Sequence, residues 1–287
     1  MFVVPPPEIK KARHAKLLKS LRIDPRKLGR NPKERKNGFN CPLSCQQVGA
    51  WINTASTVGI TIAWLIVPLI RYTYENGAQS ETVNYVNATV LGVLATIFTV
   101  SLVATVYLAY ICTVVVPTDV LVSKQREMQV KNETFIRVWD DTGEAMDLFC
   151  NICDAYVQSK TKHCGPCNRC CEEFDHHCVW LNNCIGTQNY STFRRLINVY
   201  LVFCIAYVML FVQALSNSLV SEDALGSVAA IVLLIFQTVV NTIVIAFDAQ
   251  LIYFHVWLVK NGLTTFQHVL YKRELKENLY FLKVSLV

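Results

Sequence analysis

Cysteines and histidines repeat with a fixed spacing in one short region of this 287-residue chain. Eight of the twelve cysteines fall between Cys150 and Cys184, where the pattern CxxC-x9-His-x6-Cys occurs twice, offset by fourteen residues. Three cysteine sulfurs and one imidazole form a complete tetrahedral ligand set for structural zinc. The spacing therefore predicts two zinc sites. Their ligands are Cys150, Cys153, His163 and Cys170 in the first set, and Cys164, Cys167, His177 and Cys184 in the second set.

A disulfide framework is the alternative explanation for so many cysteines. It leaves the two matching histidines unexplained, and the charge pattern described below places the region in the reducing cytosol, where disulfides are rare. A redox pair or two buried thiols would account for a single CxxC, but not for two complete sets with the same spacing. The region has few continuous apolar runs. We therefore expect metal binding to supply roughly 10 kcal/mol of folding free energy per site and to hold a loop-rich module with short hairpins.

One cysteine remains beside a histidine and a carboxylate after both ligand sets are filled. Moving the pattern by a further fourteen residues reaches Cys178 as the first cysteine of a third CxxC. The second cysteine of that CxxC is absent, because position 181 is a leucine, Leu181. Cys178 ends the run Asp175-His176-His177-Cys178. A nucleophilic thiol needs a base that removes its proton and an acidic group that orients this base. The candidate catalytic residues are therefore Cys178, His176 and Asp175, and an inert buried thiol is the alternative for Cys178.

The composition predicts that membrane-spanning helices carry this region. Hydrophobic residues make up 53% of the chain and charged residues 17%, against about a quarter charged in soluble proteins, which disfavours an ordinary soluble domain. Four uncharged stretches approach or exceed the roughly 20 helical residues that a bilayer core requires. The predicted fold class is an all-α integral membrane protein with four transmembrane helices and a zinc-binding loop between helices 2 and 3. The predicted spans are 48–70, 89–116, 196–215 and 225–247.

Basic residues predict which side of the membrane each segment faces. The N-terminal arm, residues 1–47, contains twelve Lys and Arg, and basic residues near span ends stay in the cytosol. With four spans, the central loop 117–193, which contains the zinc module 150–189, and the tail 260–287 are then cytosolic too. We therefore expect a multi-pass protein of the endomembrane system (ER, Golgi or endosomes). Its surroundings would be a lipid bilayer, and we expect no nucleic-acid partner.

The cysteine-rich loop resembles that of the zinc-finger DHHC protein S-acyltransferases, or palmitoyltransferases, and the four predicted spans have the family's arrangement. The resemblance implies the zinc pairing given above, with Cys178 as the acyl-accepting nucleophile, His176 as its base and Asp175 as the group that orients the base. It also implies that long-chain acyl-CoA, typically palmitoyl-CoA, is the donor. The matching residues are Cys150, Cys153, His163, Cys164, Cys167, Cys170, the run Asp175-His176-His177-Cys178, Trp180, Asn183, Cys184, Gly186, Asn189 and Phe193.

Two elements depart from the family pattern. After the second span the family often has Asp-Pro-Gly, and this chain has Pro117-Thr118-Asp119-Val120. After the fourth span the family usually has Thr-Thr-x-Glu, whereas this chain has Thr264-Thr265-Phe266-Gln267 and so lacks the carboxylate. The catalytic run itself is intact, so the differences concern the segments around it.

The sequence thus predicts a protein S-acyltransferase with a ping-pong mechanism. His176 would take the proton of Cys178, the thiolate would accept the acyl group from acyl-CoA, and a cysteine of a membrane-associated substrate protein would then receive it. The alternative is a catalytically weak, membrane-anchored zinc scaffold or RING-like adaptor, which needs both zinc sets but no reactive thiol. The combination of Asp175, His176 and Cys178 favours the transferase, whereas Gln267 in place of Glu mildly favours the scaffold.

Overall fold

Two compact units make up the described part of the chain. The computed structural model describes residues 34–66, 81–131, 148–158, 160–218 and 228–284. The cysteine-rich unit takes the described residues of 1–43, 112–191 and 263–287, and the helical unit takes those of 44–111 and 192–262. Parts of the predicted segments lie outside the described residues, namely 1–33 of the N-terminal arm, 67–70 of the first span, 132–147 and 159 of the central loop, 225–227 of the fourth span and 285–287 of the tail.

Long apolar helices dominate the described residues. In chain order, the helices are α1 Cys45–Ile60, which continues as the π-helix Thr61–Ile66, α2 Glu81–Val114, α3 Val120–Val130, α4 Tyr190–Ser218, α5 Val228–Lys260 and α6 Thr265–Val284. Among the described residues, three segments are long and apolar enough to cross a membrane, and these are Ala88–Val114, Tyr190–Leu215 and Ile231–Lys260. The prediction of a mostly helical protein with apolar helices of membrane length is confirmed.

Apolar and polar contacts both hold the helical unit together. Its core contains the ring pair Phe98 and Phe203, whose centroids are 5.0 Å apart. The side-chain amide of Gln237 on α5 donates to Asn53 Oδ1 at 3.0 Å and to Thr57 Oγ1 at 2.7 Å, both on α1. Buried polar side chains are costly unless they are hydrogen-bonded. These bonds therefore fix which face of α1 packs against α5.

Three antiparallel hairpins follow one another in the cysteine-rich unit. The strands are β1 Leu148–Cys150, β2 Ala155–Val157, β3 Lys162–Cys164, β4 Arg169–Cys171, β5 His176–Cys178 and β6 Asn183–Ile185, paired in consecutive twos. Each turn contains a residue with positive φ, namely Asp154 (50°), Asn168 (49°) and Asn182 (52°). Asp and Asn tolerate this conformation better than most non-glycine residues. These residues are fourteen positions apart, so the backbone repeats with the offset of the cysteines. The predicted short hairpins are confirmed.

Asp119 connects α3 to the hairpins. Its side chain accepts hydrogen bonds from the backbone N–H groups of Leu121 and Val122 and so caps the first turn of α3. The first backbone N–H groups of a helix have no partner within the helix, and this cap supplies one. The other carboxylate oxygen accepts the backbone N–H of Gln158 at 2.9 Å and the hydroxyl of Thr161. Asp119 is fully buried. The acidic residue that follows the second apolar helix therefore joins α3 to the segment between β2 and β3.

Candidate active site

The first cysteine–histidine set is brought together by two hairpins. Its four ligand atoms all lie within 4.8 Å of one another. Cys150 and Cys153 lie at the turn of β1–β2, whereas His163 and Cys170 are directly paired in β3–β4. His163 Nδ1 is 3.7 Å from Cys150 Sγ and 3.4 Å from Cys153 Sγ. Nitrogen and sulfur ligands of one tetrahedral zinc ion are about 3.5 Å apart, so this set fits zinc.

The second set repeats this construction one hairpin further along the chain. Its ligand atoms also lie within 4.8 Å of one another. Cys164 and Cys167 lie at the turn of β3–β4, and His177 pairs directly with Cys184 in β5–β6. His177 Nδ1 is 3.7 Å from Cys164 Sγ and 3.3 Å from Cys167 Sγ. The middle hairpin therefore supplies ligand atoms to both sets, which links the three hairpins into one module.

The disulfide framework considered as an alternative is not present. All twelve cysteines are free. Cys164, Cys167 and Cys184 are nevertheless buried close together. A buried group of thiolates is stable only with a compensating positive charge, which a bound Zn²⁺ ion supplies. Both donor sets therefore have the chemistry, as well as the geometry, of zinc sites.

Strand alternation places His177 on one face of β5 and the candidate catalytic residues His176 and Cys178 on the other. Successive side chains on a strand point to opposite faces. On β5, His177 faces the second cysteine–histidine set, so His176 and Cys178 share the other face. Cys178 is buried and belongs to neither set. The geometry thus leaves a thiol beside a histidine that is not in either set.

Asp175 is a buried carboxylate with three hydrogen-bond donors around it. His176 Nδ1 lies 2.7 Å from its Oδ2. The backbone N–H of Thr265 donates to Oδ1 at 2.8 Å, and the Thr265 hydroxyl donates to Oδ2 at 2.7 Å. Burial raises the pKa of Asp175, but the hydrogen bonds from His176 and Thr265 lower it more, so the pKa is below its ordinary value. An ionised Asp175 holds the proton of His176 on Nδ1, so Nε2 is the nitrogen that can accept a second proton.

The surroundings of His176 favour its protonated form. Burial lowers the pKa of His176, but its hydrogen bonds with Asp175 and Cys178 and the negative charges of these groups raise the pKa to about 9. An imidazole with a raised pKa can hold a proton taken from a neighbouring thiol. Asp175, His176 and Cys178 are therefore arranged to produce a thiolate paired with an imidazolium.

Asn183 attaches the hairpin that carries Cys178 to the end of α2. Its side-chain N–H groups donate to the backbone carbonyls of Cys112 and Val115, both at 2.8 Å. The last carbonyls of a helix have no partner within the helix, so Asn183 satisfies them. Its Oδ1 accepts a hydrogen bond from the buried guanidinium of Arg169. Because Asn183 pairs with Cys178 in β5–β6, these contacts determine where the thiol lies relative to the end of α2.

Gly186 and Asn189 close the same hairpin after β6. A Cβ atom at Gly186 would lie 2.5 Å from the Glu172 carbonyl oxygen and 2.8 Å from Cys171 Sγ, so only glycine fits. Asn189 Oδ1 accepts the backbone N–H of Gly186 at 3.0 Å, and its Nδ2 donates to the Cys184 carbonyl at 2.9 Å. These contacts give a physical reason for two of the residues on which the family resemblance rests.

Thr265 and Arg169 support the site, although the sequence did not identify them as site residues. The two adjacent threonines after the last apolar helix are the sequence signal that points to Thr265. Arg169 is fully buried and donates to the Arg35 carbonyl at 2.7 Å. Nothing in the sequence distinguishes Arg169 from a solvent-exposed arginine, so its role could be found only in the structure.

Gln267 forms a capping box where the family motif has a glutamate. Gln267 Oε1 accepts the backbone N–H of Thr264 at 2.8 Å, and Thr264 Oγ1 accepts the backbone N–H of Gln267 at 3.1 Å. This reciprocal pair satisfies two backbone donors at the start of α6. An amide oxygen is therefore sufficient for the cap, and α6 begins where Thr265 can reach Asp175.

Comparison with known proteins identifies the region that contains this site. Residues 144–272 match the family model described as DHHC palmitoyltransferase. Probable protein S-acyltransferase 20 of Arabidopsis thaliana is 35% identical over 142 residues, which cover 45% of this chain and 20% of that protein. Palmitoyltransferase ZDHHC15A of Danio rerio is 30% identical over 121 residues, which cover 42% of this chain and 36% of that protein. The chain thus spans between a fifth and just over a third of these relatives' length.

Proposed function

We propose that this chain is a protein S-acyltransferase, specifically a protein-cysteine S-palmitoyltransferase, because residues 144–272 match the family model described as DHHC palmitoyltransferase. The observation that carries the proposal is the 2.7 Å contact between Asp175 and His176, on a strand where His176 shares a face with Cys178. A zinc scaffold would need both cysteine–histidine sets, but it would have no use for a carboxylate–imidazole pair beside a spare thiol. The site therefore favours catalysis over the scaffold alternative.

The transfer takes place in two steps. His176 Nε2 removes the proton of Cys178, and the thiolate attacks the carbonyl carbon of a long-chain acyl-CoA. The bond to CoA sulfur breaks, CoA leaves as a thiol, and Cys178 carries the acyl group as a thioester. A substrate cysteine then attacks this thioester, and the Cys178 thiol is regenerated. Asp175 stabilises the imidazolium that His176 becomes during each step.

Two structural zinc ions, one in each cysteine–histidine set, would hold the three hairpins in position when bound. The first set is Cys150, Cys153, His163 and Cys170, and the second is Cys164, Cys167, His177 and Cys184. Zinc would cross-link short strands that have almost no apolar core of their own. The catalytic steps themselves require only the side chains of Asp175, His176 and Cys178.

The membrane arrangement completes the proposal. We infer that α1 forms a fourth span beside the three apolar segments, so that both termini and the zinc module 150–189 lie in the cytosol of an endomembrane compartment. The support is the basic arm before α1, together with the polar bonds that join α1 to α5. In this arrangement the acyl donor is long-chain acyl-CoA, and the acceptors are cysteines of proteins at the same membrane surface.

Autoacylation of purified variants tests the proposal. With palmitoyl-CoA as the probe, the native chain is expected to form a thioester that neutral hydroxylamine releases. Cys178→Ser should abolish this thioester and retain the zinc content, because a hydroxyl has too high a pKa for the same imidazole to activate. His176→Ala should also retain zinc and slow acylation by about 10² to 10⁴.

Two results would overturn the assignment. Full transferase activity of Cys178→Ser would mean that another residue is the nucleophile. Loss of zinc in the same variant would mean that Cys178 is a metal ligand. Elemental analysis and the acylation assay on the same preparations separate these results from a general loss of folding.

A further inference from the structure

The buried side chain of Arg35 folds the N-terminal loop, residues 35–43. Its guanidinium donates to the Pro42 carbonyl at 3.2 Å. The backbone N–H of Arg35 donates to the Cys167 carbonyl at 2.9 Å, and the guanidinium of Arg169 donates to the Arg35 carbonyl at 2.7 Å. The N-terminal loop is therefore held in one shape and attached to the second hairpin, β3–β4.

Gly38 lies between the end of α2 and the turn of the third hairpin, β5–β6. Its backbone N–H donates to the Thr113 carbonyl at 2.8 Å. A Cβ atom at this position would lie 2.2 Å from the Leu181 carbonyl oxygen and 2.7 Å from Thr113 Cγ2, so only glycine fits. The backbone of the N-terminal loop is thus in direct contact with the turn that follows Cys178.

Asn182 joins the same turn to the N-terminal loop through its side-chain amide. This buried amide donates to the backbone carbonyls of Gly38 and Pro42, both at 3.1 Å. Asn168 has the equivalent position in the turn of the second hairpin and the same positive φ. Among the described residues, however, the Asn168 side chain has no hydrogen bond to the N-terminal loop. These two bonds are therefore not a general property of such turns.

We propose that Asn182 is a positioning residue for the acyl transfer, through which the N-terminal loop sets the location of Cys178. The inference rests on the proposed transferase function. Cys178 pairs with Asn183, so Asn182 ends the short turn that begins at the thiol. The turn cannot shift without breaking both bonds of Asn182. The thiol has to reach His176 and the thioester carbon together, and a displacement of about 1 Å can slow such a step by about 10²-fold.

Single-turnover acylation of Asn182→Asp, on the purified full-length chain, tests this role. An aspartate, Asp154, already has the equivalent position in the first hairpin, so the turn is retained, but a carboxylate cannot donate to the two carbonyls. Hydroxylamine-labile label on Cys178 is followed over a range of alkyne-palmitoyl-CoA concentrations. We expect the rate constant at saturation to fall by about 10-fold or more. The fraction of chains that react, the donor concentration at half-saturation and the zinc content should not change. Asn168→Asp is the matched control and should react like the native chain.

Gly38→Ala breaks the same contact from the side of the N-terminal loop, because the added Cβ has no room beside the Leu181 carbonyl. The rate constant should fall while the reacting fraction and the half-saturation concentration stay the same. The double variant with Asn182→Asp should be no slower than the slower single variant, because both changes remove one contact. Gly49→Ala is the matched control, since a Cβ atom at Gly49 would meet nothing within 4 Å.

Each result of these experiments has a definite meaning. Native rate constants in both Asn182→Asp and Gly38→Ala overturn the positioning role and leave the transferase function standing. A smaller reacting fraction or a lower zinc content with an unchanged rate constant shows a contribution to folding only, which also overturns the positioning role. Equal slowing in Asn168→Asp would contradict a route through the N-terminal loop. No label on Cys178 of the native chain would overturn the transferase function itself.

Discussion

The third hairpin differs from the first two at one position that decides its chemistry. All three hairpins have a cysteine at the start of the turn and a residue with positive φ four positions later. In the first two, another cysteine stands three residues after the first and completes a CxxC pair of one cysteine–histidine set. In the third, that position is Leu181, which is buried. Cys178 therefore has the same backbone position as Cys150 and Cys164 but belongs to neither cysteine–histidine set.

The three hairpins also differ in the contacts at their turns, with the first two alike and the third different. The turns of β1–β2 and β3–β4 each carry the CxxC pair of one cysteine–histidine set. The turn of β5–β6 is held by hydrogen bonds of Asn182 and Asn183 to neighbouring backbone, and the second metal set holds only the middle of the hairpin, through His177 and Cys184. The comparison teaches that the same hairpin backbone can have a CxxC pair at its turn or be held there by hydrogen bonds, and that the second arrangement leaves its cysteine outside both cysteine–histidine sets.

The largest expected effect comes from removing a ligand of the proposed zinc ion between the second and third hairpins. His177→Ala should lose one zinc ion and with it folding free energy on the order of 10 kcal/mol, which is comparable to the whole stability of a domain. We therefore expect low yield, aggregation and no autoacylation, measured by elemental analysis and thermal unfolding. His176→Ala is the matched control, since the neighbouring histidine is in neither set. Unchanged zinc content in His177→Ala would contradict the second site.

Completing the third CxxC tests the comparison directly. Leu181→Cys should allow Cys178 to bind zinc together with the new thiol, and metal-bound sulfur is a weaker nucleophile, so autoacylation should fall by about 10-fold or more. Leu181→Ser is the control, because serine has nearly the same size as cysteine but offers no thiolate. The measurements are zinc content and the rate of acylation. If Leu181→Cys and Leu181→Ser react equally fast, the absence of a second cysteine is not what keeps Cys178 free.

The residues that the sequence predicted and those that it missed differ in the range of their contacts. The residues of the two cysteine–histidine sets lie on short hairpins within one region, so their spacing in the sequence predicted which of these side chains come together. The contacts that support the third hairpin are long-range, since Thr265 is 90 residues from Asp175 and Cys112 is 71 residues from Asn183. No local pattern connects such pairs. Long uncharged stretches likewise predicted apolar helices, but not the bonds of Gln237 that join α5 to α1.

A moderate effect is expected from the hydrogen bond that the Thr265 hydroxyl donates to the carboxylate of Asp175. Thr265→Val keeps the side-chain shape and the backbone donor but removes the hydroxyl, and a hydrogen bond to a charged group contributes about 1.5–3 kcal/mol. Acylation should slow by about 10-fold, with zinc content unchanged, because Asp175 then orients His176 less firmly. Thr265→Ser should restore most of the rate. Equal rates for the valine and serine variants would contradict a positioning role for the hydroxyl.

The smallest effect is expected from Gln267, which acts on the third hairpin only through the start of α6. Gln267→Ala removes the acceptor of the Thr264 backbone N–H, and the loss of one capping bond costs about 0.5–2 kcal/mol of helix stability. Thr265 lies in the same turn, so its bonds to Asp175 should weaken and acylation should fall by about twofold to fivefold, less than in Thr265→Val.

Gln267→Glu restores the residue type of the family motif and retains an acceptor oxygen, so its rate should equal or exceed that of the native chain. Autoacylation and thermal unfolding of the two variants check this order. If Gln267→Ala were slower than Thr265→Val, Gln267 would act on the site by a route other than the cap, and the hydrogen-bonded support of the third hairpin would have to include it directly.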